Sequence, residues 1–317
     1  MLRYIILGLI LAGLFQVFFW ITQDNKVTLK QNATERFESL SYAPFEGYDK
    51  KVLSPEQIKE DISILIKHTN KVRTYATADA KVILEVASKT NMMVDLGLWL
   101  SGDHEENHKE IQRGLELLKK YPNNINNVIV GNETLLRTDL NEVELMAYLD
   151  FVKGFTKKPI TTAEVWHTLD KYPEIGNHVD FITVHFLPYW ENVPIEQFNN
   201  FIIEKYSIIE KKYPNKKITI GETGWPSHGY NKNGAVPSLK NQAIAISNFI
   251  ALAKEKNWSY NIVEAFDQPW KGYDEGNVGQ YWGMFTSDRK IKFSLSGDTI
   301  LNQYWLYQMI AAIIIGA

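Results

Sequence analysis

The stretch ITIGETGWPS, residues 218–227, begins as an apolar, β-branched run and ends on a glutamate followed by threonine, glycine, tryptophan and proline. Isoleucine and threonine favour a strand and the Gly–Trp–Pro turn stops it, so Glu222 stands where an apolar strand leaves the core. A carboxylate there is costly to desolvate and needs a compensating role. Seven further runs of this kind lie outward from it, at residues 40–45, 72–76, 92–100, 128–130, 160–166, 181–189 and 262–266. Most gaps between them carry helical periodicity, with long amphipathic stretches at 105–120, 195–212 and 239–256. Ser54, Pro55 and Gln57 form a capping box with proline at the first helical position, and Asp139 with Glu142 reads as another. Eight strands alternating with helices over ~265 residues predict an α/β fold, a (β/α)8 TIM barrel, whose usual length is ~250 residues. A doubly wound sheet is the alternative, but no glycine-rich phosphate loop follows any of the runs.

The chain has 317 residues, a formal net charge of -3 and no cysteine, which excludes disulfide frameworks, thiol catalysis and Cys-ligated metal centres. Its 34 basic residues are balanced by 37 acidic ones, so nothing marks a nucleic-acid partner. The 9 Trp, 16 Tyr and 15 Phe exceed what a core of this size requires, and aromatic clefts hold weakly polar rings such as sugars.

Residues 1–22 contain an apolar run from Tyr4 to Thr22 broken only by Gln16, about the ~20 residues that span a membrane. Bulky Phe18, Phe19, Trp20 and Ile21 close it where a cleavable signal would carry small residues, so the reading is a retained anchor, with a cleaved signal and secretion as the alternative. Arg3 on the short side places the rest outside the cytoplasm, in the periplasm or at the cell surface. Residues 23–37 read as a polar linker, 38–300 as one catalytic domain expected to act as a monomer, and 301–317 as an apolar tail. That tail is compatible with a last domain helix, a membrane-dipping segment or half of a span.

In a barrel the active site forms at the C-terminal ends of the strands. Here the fourth run ends Gly131, Asn132, Glu133, the sixth His185 through Glu191, the seventh Gly221, Glu222, Thr223, Gly224, Trp225, and the eighth Glu264 through Lys271. Two strand-anchored glutamates, Glu133 and Glu222, facing each other across the mouth suit a retaining glycosidase, whose carboxyls stand ~5 to 5.5 Å apart. Trp190, Trp225 and Trp270 surround them. No HExxH or similar spacing offers a metal site, and the chemistry calls for neither metal nor cofactor.

The segments VGNE (130–133), VDFITVHFLPYWE (179–191), ITIGETGWPS (218–227), EAFDQPWK (264–271) and YWGMF (281–285) resemble glycoside hydrolase family 17, most of all its bacterial branch of β-1,3-glucan hydrolases and transglucosylases. The likeness runs in order from about Ser41 to Phe293. It implies retention of configuration, Glu133 as general acid/base, Glu222 as nucleophile, and Asn132 as the partner of the sugar 2-hydroxyl. It also suggests Tyr75, His185, Tyr189, Trp225, Phe266 and Lys271 as subsite residues, with Trp190, Asp267 and Trp270 beside them. Asp267, Gln268, Pro269 and Trp270 stand where plant endo-glucanases carry a short acidic segment, which points away from plant-like action. Hydrolysis of β-1,3-glucan is the expected reaction; transglucosylation, a non-catalytic glucan-binding barrel and an inert anchored scaffold are the alternatives.

Overall fold

The computed structural model describes residues 2–22, 26–30, 36–302 and 304–316. Eight parallel strands close into a barrel: β1 (Leu40–Ser41), β2 (Lys71–Arg73), β3 (Met93–Leu98), β4 (Ile125–Asn132), β5 (Ile160–Val165), β6 (Ile182–His185), β7 (Ile218–Thr223) and β8 (Ser259–Ile262). Each strand pairs with its neighbour in sequence and β8 returns to β1. All eight apolar runs overlap a barrel strand; β8 starts earlier than its run, because Tyr260 is buried outward against Phe249 of helix Leu239–Lys256 and Asn261 inward beside Ser41. Leu40, Val72, Val94, Val128, Ile160, Val184, Ile220 and Ile262 are wholly buried, each contributing ~1.5–3 kcal/mol of apolar transfer energy.

The connecting helices follow the expected periodicity, with Leu239–Lys256 at the expected bounds and His104–Lys120 one residue longer. Ser54 and Gln57 make the anticipated capping box at the start of Pro55–Leu65. The other box is displaced: Asn141 caps Glu142–Lys153 and Glu144 returns the bond, whereas Asp139 is drawn to Arg137 at 2.7 Å. An extra hairpin, Phe45–Glu46 with Lys51–Val52, stands at the barrel mouth after β1.

Outside the barrel, the apolar N-terminal segment is a helix, Leu2–Thr22, of mean hydropathy 2.0 over residues 2–20 and unburied. Of the expected linker, residues 23–25 and 31–35 lie outside the described residues. The remainder is not all loop: Lys26–Leu29 forms a strand antiparallel to Gly297–Ile300, because Val27 and Leu29 alternate inward and are buried. The apolar tail forms a helix, Trp305–Gly316, that touches the N-terminal one.

Candidate active site

Glu222 is positioned by an irregularity in β7. The β6–β7 ladder shifts register between Ile220 and Glu222, which sets Glu222 opposite His185. Gly221 sits in the shift; a Cβ there would fall 2.4 Å from Thr183 Cγ2 and 3.0 Å from His185 Cδ2, so any side chain would push the imidazole away. The Glu222 carboxylate is buried, and its Oε1 accepts hydrogen bonds from Arg73 Nη1 at 3.1 Å and the Tyr75 hydroxyl at 2.8 Å. Arg73, at the end of β2 and only 2% exposed, also donates to Gly221 O (2.7 Å) and Asn132 Oδ1 (2.5 Å). The Tyr75 oxygen lies 2.9 Å from Ser41 Oγ, which accepts from Asn261 Nδ2 at 2.7 Å. Each hydroxyl has one proton, so the relay runs Asn261 to Ser41 to Tyr75 to Glu222 and ends on an acceptor. Burial pushes the Glu222 carboxyl up, but the Arg73 guanidinium, the Tyr75 hydrogen bond and the Lys271 ammonium hold it below the ordinary carboxylate range.

Glu133 is held differently. It follows β4 in the left-handed region, φ 53°, just after Gly131 at φ 81°. A non-glycine residue there costs on the order of 1 kcal/mol and persists only when its surroundings impose it. The Glu133 N–H donates to Ala163 O (2.7 Å), and the next turn is tied to Glu164 on β5. The wholly buried Glu164 carboxyl accepts from Leu135 N (2.8 Å), Leu136 N (3.4 Å) and Thr134 Oγ1 (3.3 Å). Burial pushes Glu164 up to about 7, against the pull of those bonds.

His185 joins the two carboxyls. Its Nε2 lies 3.2 Å from Arg73 Nη1 and its Nδ1 lies 2.9 Å from Glu133 Oε1. A guanidinium can only donate, so Nε2 accepts and the ring proton sits on Nδ1, aimed at Glu133. One oxygen or nitrogen from each of Glu133, His185 and Glu222 lies within 4.8 Å of the others. This trio could in principle ligate a cation, but both ring nitrogens are engaged and a fixed guanidinium already occupies the Glu222 side. The donor set fits proton and glycosyl transfer better than a divalent ion.

The two carboxyls sit in a cleft of about 830 Å³ at the barrel mouth. Of the expected site residues, Glu133, Glu222, Asn132, Tyr75, His185, Trp190, Trp270 and Lys271 line it. Trp190 stacks on Trp282 at 6.0 Å and 21°, and Lys50 from the extra hairpin lies 4.1 Å over Trp270. Lys271 reaches both oxygens of buried Glu264 at 2.9 and 3.0 Å; burial pushes Glu264 up to about 7 against that attraction. Four expected residues do not line the cleft. Tyr189 and Trp225 are fully buried behind the Trp190–Trp282 pair, where Tyr189 donates to Tyr230 O and Trp225 to Val236 O. Phe266 packs between Tyr42 and Phe285, and Asp267 is locked to Lys292 at 2.7 Å and to Gly283 N at 2.9 Å. Reading the sequence assigned no site role to Arg73, Trp99, Arg137 or Glu164. Trp99 is 40% exposed at the rim with Arg137 stacked 4.3 Å behind it. The signal for Arg73 was a cation inside an apolar strand, which has no place there without an anionic partner.

A closed (β/α)8 barrel with two facing glutamates in an aromatic cleft defines the class as glycosidases, enzymes that hydrolyse O-glycosyl bonds. Within that class the chain belongs to the BtgE/BtgC glycoside hydrolase domain family, whose profile matches residues 39–283. It is 33% identical over 262 residues to a glucan 1,3-beta-glucosidase of Arthroderma benhamiae, covering 74% of this chain and 83% of that one. A glucan 1,3-beta-glucosidase of Candida albicans is 27% identical over 263 residues, 74% of this chain and 84% of that one. Among solved structures, the glycoside hydrolase family 17 β-1,3-glucanosyltransferase of Rhizomucor miehei superposes with a TM-score of 0.73 at 28% identity, over 81% of this chain and 95% of that one. An active-site mutant of that enzyme holds laminaritriose.

Proposed function

We propose that this chain is a retaining glycosidase of β-1,3-glucan in which Glu222 is the nucleophile and Glu133 the general acid/base. The observation that supports it most is the pair of carboxyls within 4.8 Å of each other, one buried under two fixed donors and the other half-exposed beside an imidazole. Glu222, kept ionised by Arg73 and Tyr75, attacks the anomeric carbon while Glu133 gives its proton to the departing glycosidic oxygen. In the second step Glu133 takes a proton from the incoming hydroxyl, which displaces the Glu222 ester and restores the original configuration. The Asn132 oxygen is bound to Arg73, so its amide N–H groups face the cleft and suit the sugar 2-hydroxyl, a contact that tightens in the transition state. Trp190, backed by the buried Trp282, and Trp270 supply ring-sized apolar surface in the cleft. Water as the second-step acceptor gives hydrolysis, and a glucan hydroxyl gives transfer; the likeness to a β-1,3-glucanosyltransferase favours keeping transfer as the second reading.

The domain is read as residues 38–300, working as a monomer, anchored by the N-terminal helix with the cleft outside the cytoplasm. The test is the full chain in detergent with laminari-oligosaccharides, following product mass, linkage and initial anomeric configuration beside Glu222→Gln. Shorter β-configured glucose oligomers, absent with the variant, are expected. Longer or branched products move the reading to transfer, and α-configured first products or turnover by Glu222→Gln overturn it.

A further inference from the structure

The antiparallel pair and the C-terminal helix take no part in the cleft. Lys26 stands opposite Ile300 and Leu29 opposite Gly297, and Asp298 binds both Lys26 (2.6 Å) and the Thr28 hydroxyl (2.6 Å). With Val27 and Leu29 buried and the strand packed against helix Leu239–Lys256, the pair is fixed to the barrel. Thr22 ends the N-terminal helix just ahead of Lys26, and Trp305 opens the other just after Ile300. At ~3.5 Å per extended residue, neither link lets its helix stray far, so both leave the barrel at one place and run antiparallel.

Their shielded positions match this arrangement. Gly13, Gln16, Val17 and Trp20 are half-buried on the first helix, and Trp305, Met309, Ala312 and Ile313 on the second, each set at three- and four-residue spacing. Gln16, the one strongly polar residue of the first helix beyond Arg3, lies on this shared seam. Leu306, Tyr307, Ile310, Ile314 and Ile315 remain exposed on the second, an apolar face that is unfavourable in water. Phe18, Phe19 and Trp20 lie at the barrel-proximal end of the first helix and Tyr304, Trp305 and Tyr307 at the barrel-proximal end of the second, and aromatic belts of this kind mark a membrane–water interface. Residues 305–316 span ~18 Å at 1.5 Å each, more than half of a ~30 Å hydrocarbon core.

We propose that the helix at 305–316 is a second membrane-embedded element, entering the bilayer antiparallel to the N-terminal helix from its aromatic end. The inference rests on reading the N-terminal helix as an anchor. A chain held at two adjacent points cannot swivel about a single tether, so its cleft keeps one orientation to the bilayer surface.

The chain has no cysteine, so single-cysteine variants are unambiguous probes. Leu9→Cys, Ile310→Cys, Ile314→Cys and Ser287→Cys in the full chain, each carrying an NBD fluorophore, are reconstituted in phosphatidylcholine–phosphatidylglycerol vesicles with or without nitroxide lipids. Quenching of several-fold at 9, 310 and 314, with none at exposed Ser287, is expected. Quenching at 9 but not at 310 and 314 overturns this inference and leaves the anchor standing. No quenching at any of the three defeats the anchor reading and this one with it. Protection of 310 and 314 from an aqueous quencher without quenching by lipid means another protein chain covers the face, and likewise overturns the proposal.

Discussion

The two walls of the cleft hold chemically identical side chains in opposite ways. On the β7 wall Glu222 is buried and accepts from Arg73 and Tyr75, themselves fixed by Asn132, Ser41 and Asn261. On the β4 wall Glu133 is itself a left-handed residue, its side chain 22% exposed and paired with His185 Nδ1 at 2.9 Å. A nucleophile must stay charged and motionless, which donors and a nearby cation achieve. An acid/base must exchange its proton with whatever enters the cleft, which requires access. Environment, not residue type, divides the two roles.

The sharpest way to break this contrast is to neutralise each wall in turn. Glu222→Gln is expected to lower kcat by at least ~10⁴-fold on every substrate, because no nucleophile remains. Glu133→Gln is expected to lose ~10²–10⁴-fold on glucan but far less on an aryl β-glucoside, whose leaving group needs little protonation. Equal losses of Glu133→Gln on both substrates would contradict the assignment.

Arg73 carries the next effect. Its cation favours ionised Glu222, so Arg73→Met raises the Glu222 pKa and moves the acid limb of the kcat/KM profile to higher pH, with a loss on the order of 100-fold at neutral pH. It also strands a buried carboxylate, which costs ~3–5 kcal/mol and shows as a lower Tm. Arg73→Lys keeps charge but cannot serve the same acceptors, so a smaller shift with a similar Tm loss is expected. An acid limb that stays in place with Arg73→Met would remove Arg73 from the account of Glu222.

The smallest effect concerns Glu164, the support of the β4 wall. Its folded-state pKa of about 7 lies above the ordinary 4.5, so the folded protein binds this proton more tightly. Stability from this group is therefore full below about 4.5 and is lost as pH rises through about 7, by at most about 3.5 kcal/mol at ~1.4 kcal/mol per unit. Glu164→Gln is expected to flatten the fall of Tm across that window while kcat at pH 5 stays within a few-fold. An unchanged Tm profile would mean Glu164 titrates normally.

The apolar runs, the helix periods and the strand-end glutamates were legible because they are local. Period and propensity act over a few residues, and a carboxylate at the end of an apolar strand announces itself wherever the chain folds. The same local rule placed Asp139 rather than Asn141 at a helix start, since it ignored Arg137, which competes for the aspartate.

Which aromatics face the sugar was not legible. Trp190 and Trp225 both follow strand ends in aromatic-rich turns, yet one lines the cleft and the other is 0% exposed behind it. Arg73 makes sense only beside Glu222, 149 residues later, and Glu164 only beneath the turn of Glu133. What the sequence by itself determined was the barrel, its order and the two carboxylates. Only the tertiary structure decided which groups surround them, because hydrogen bonds and ion pairs are set by distances between residues far apart in the chain, and those exist only once the barrel closes.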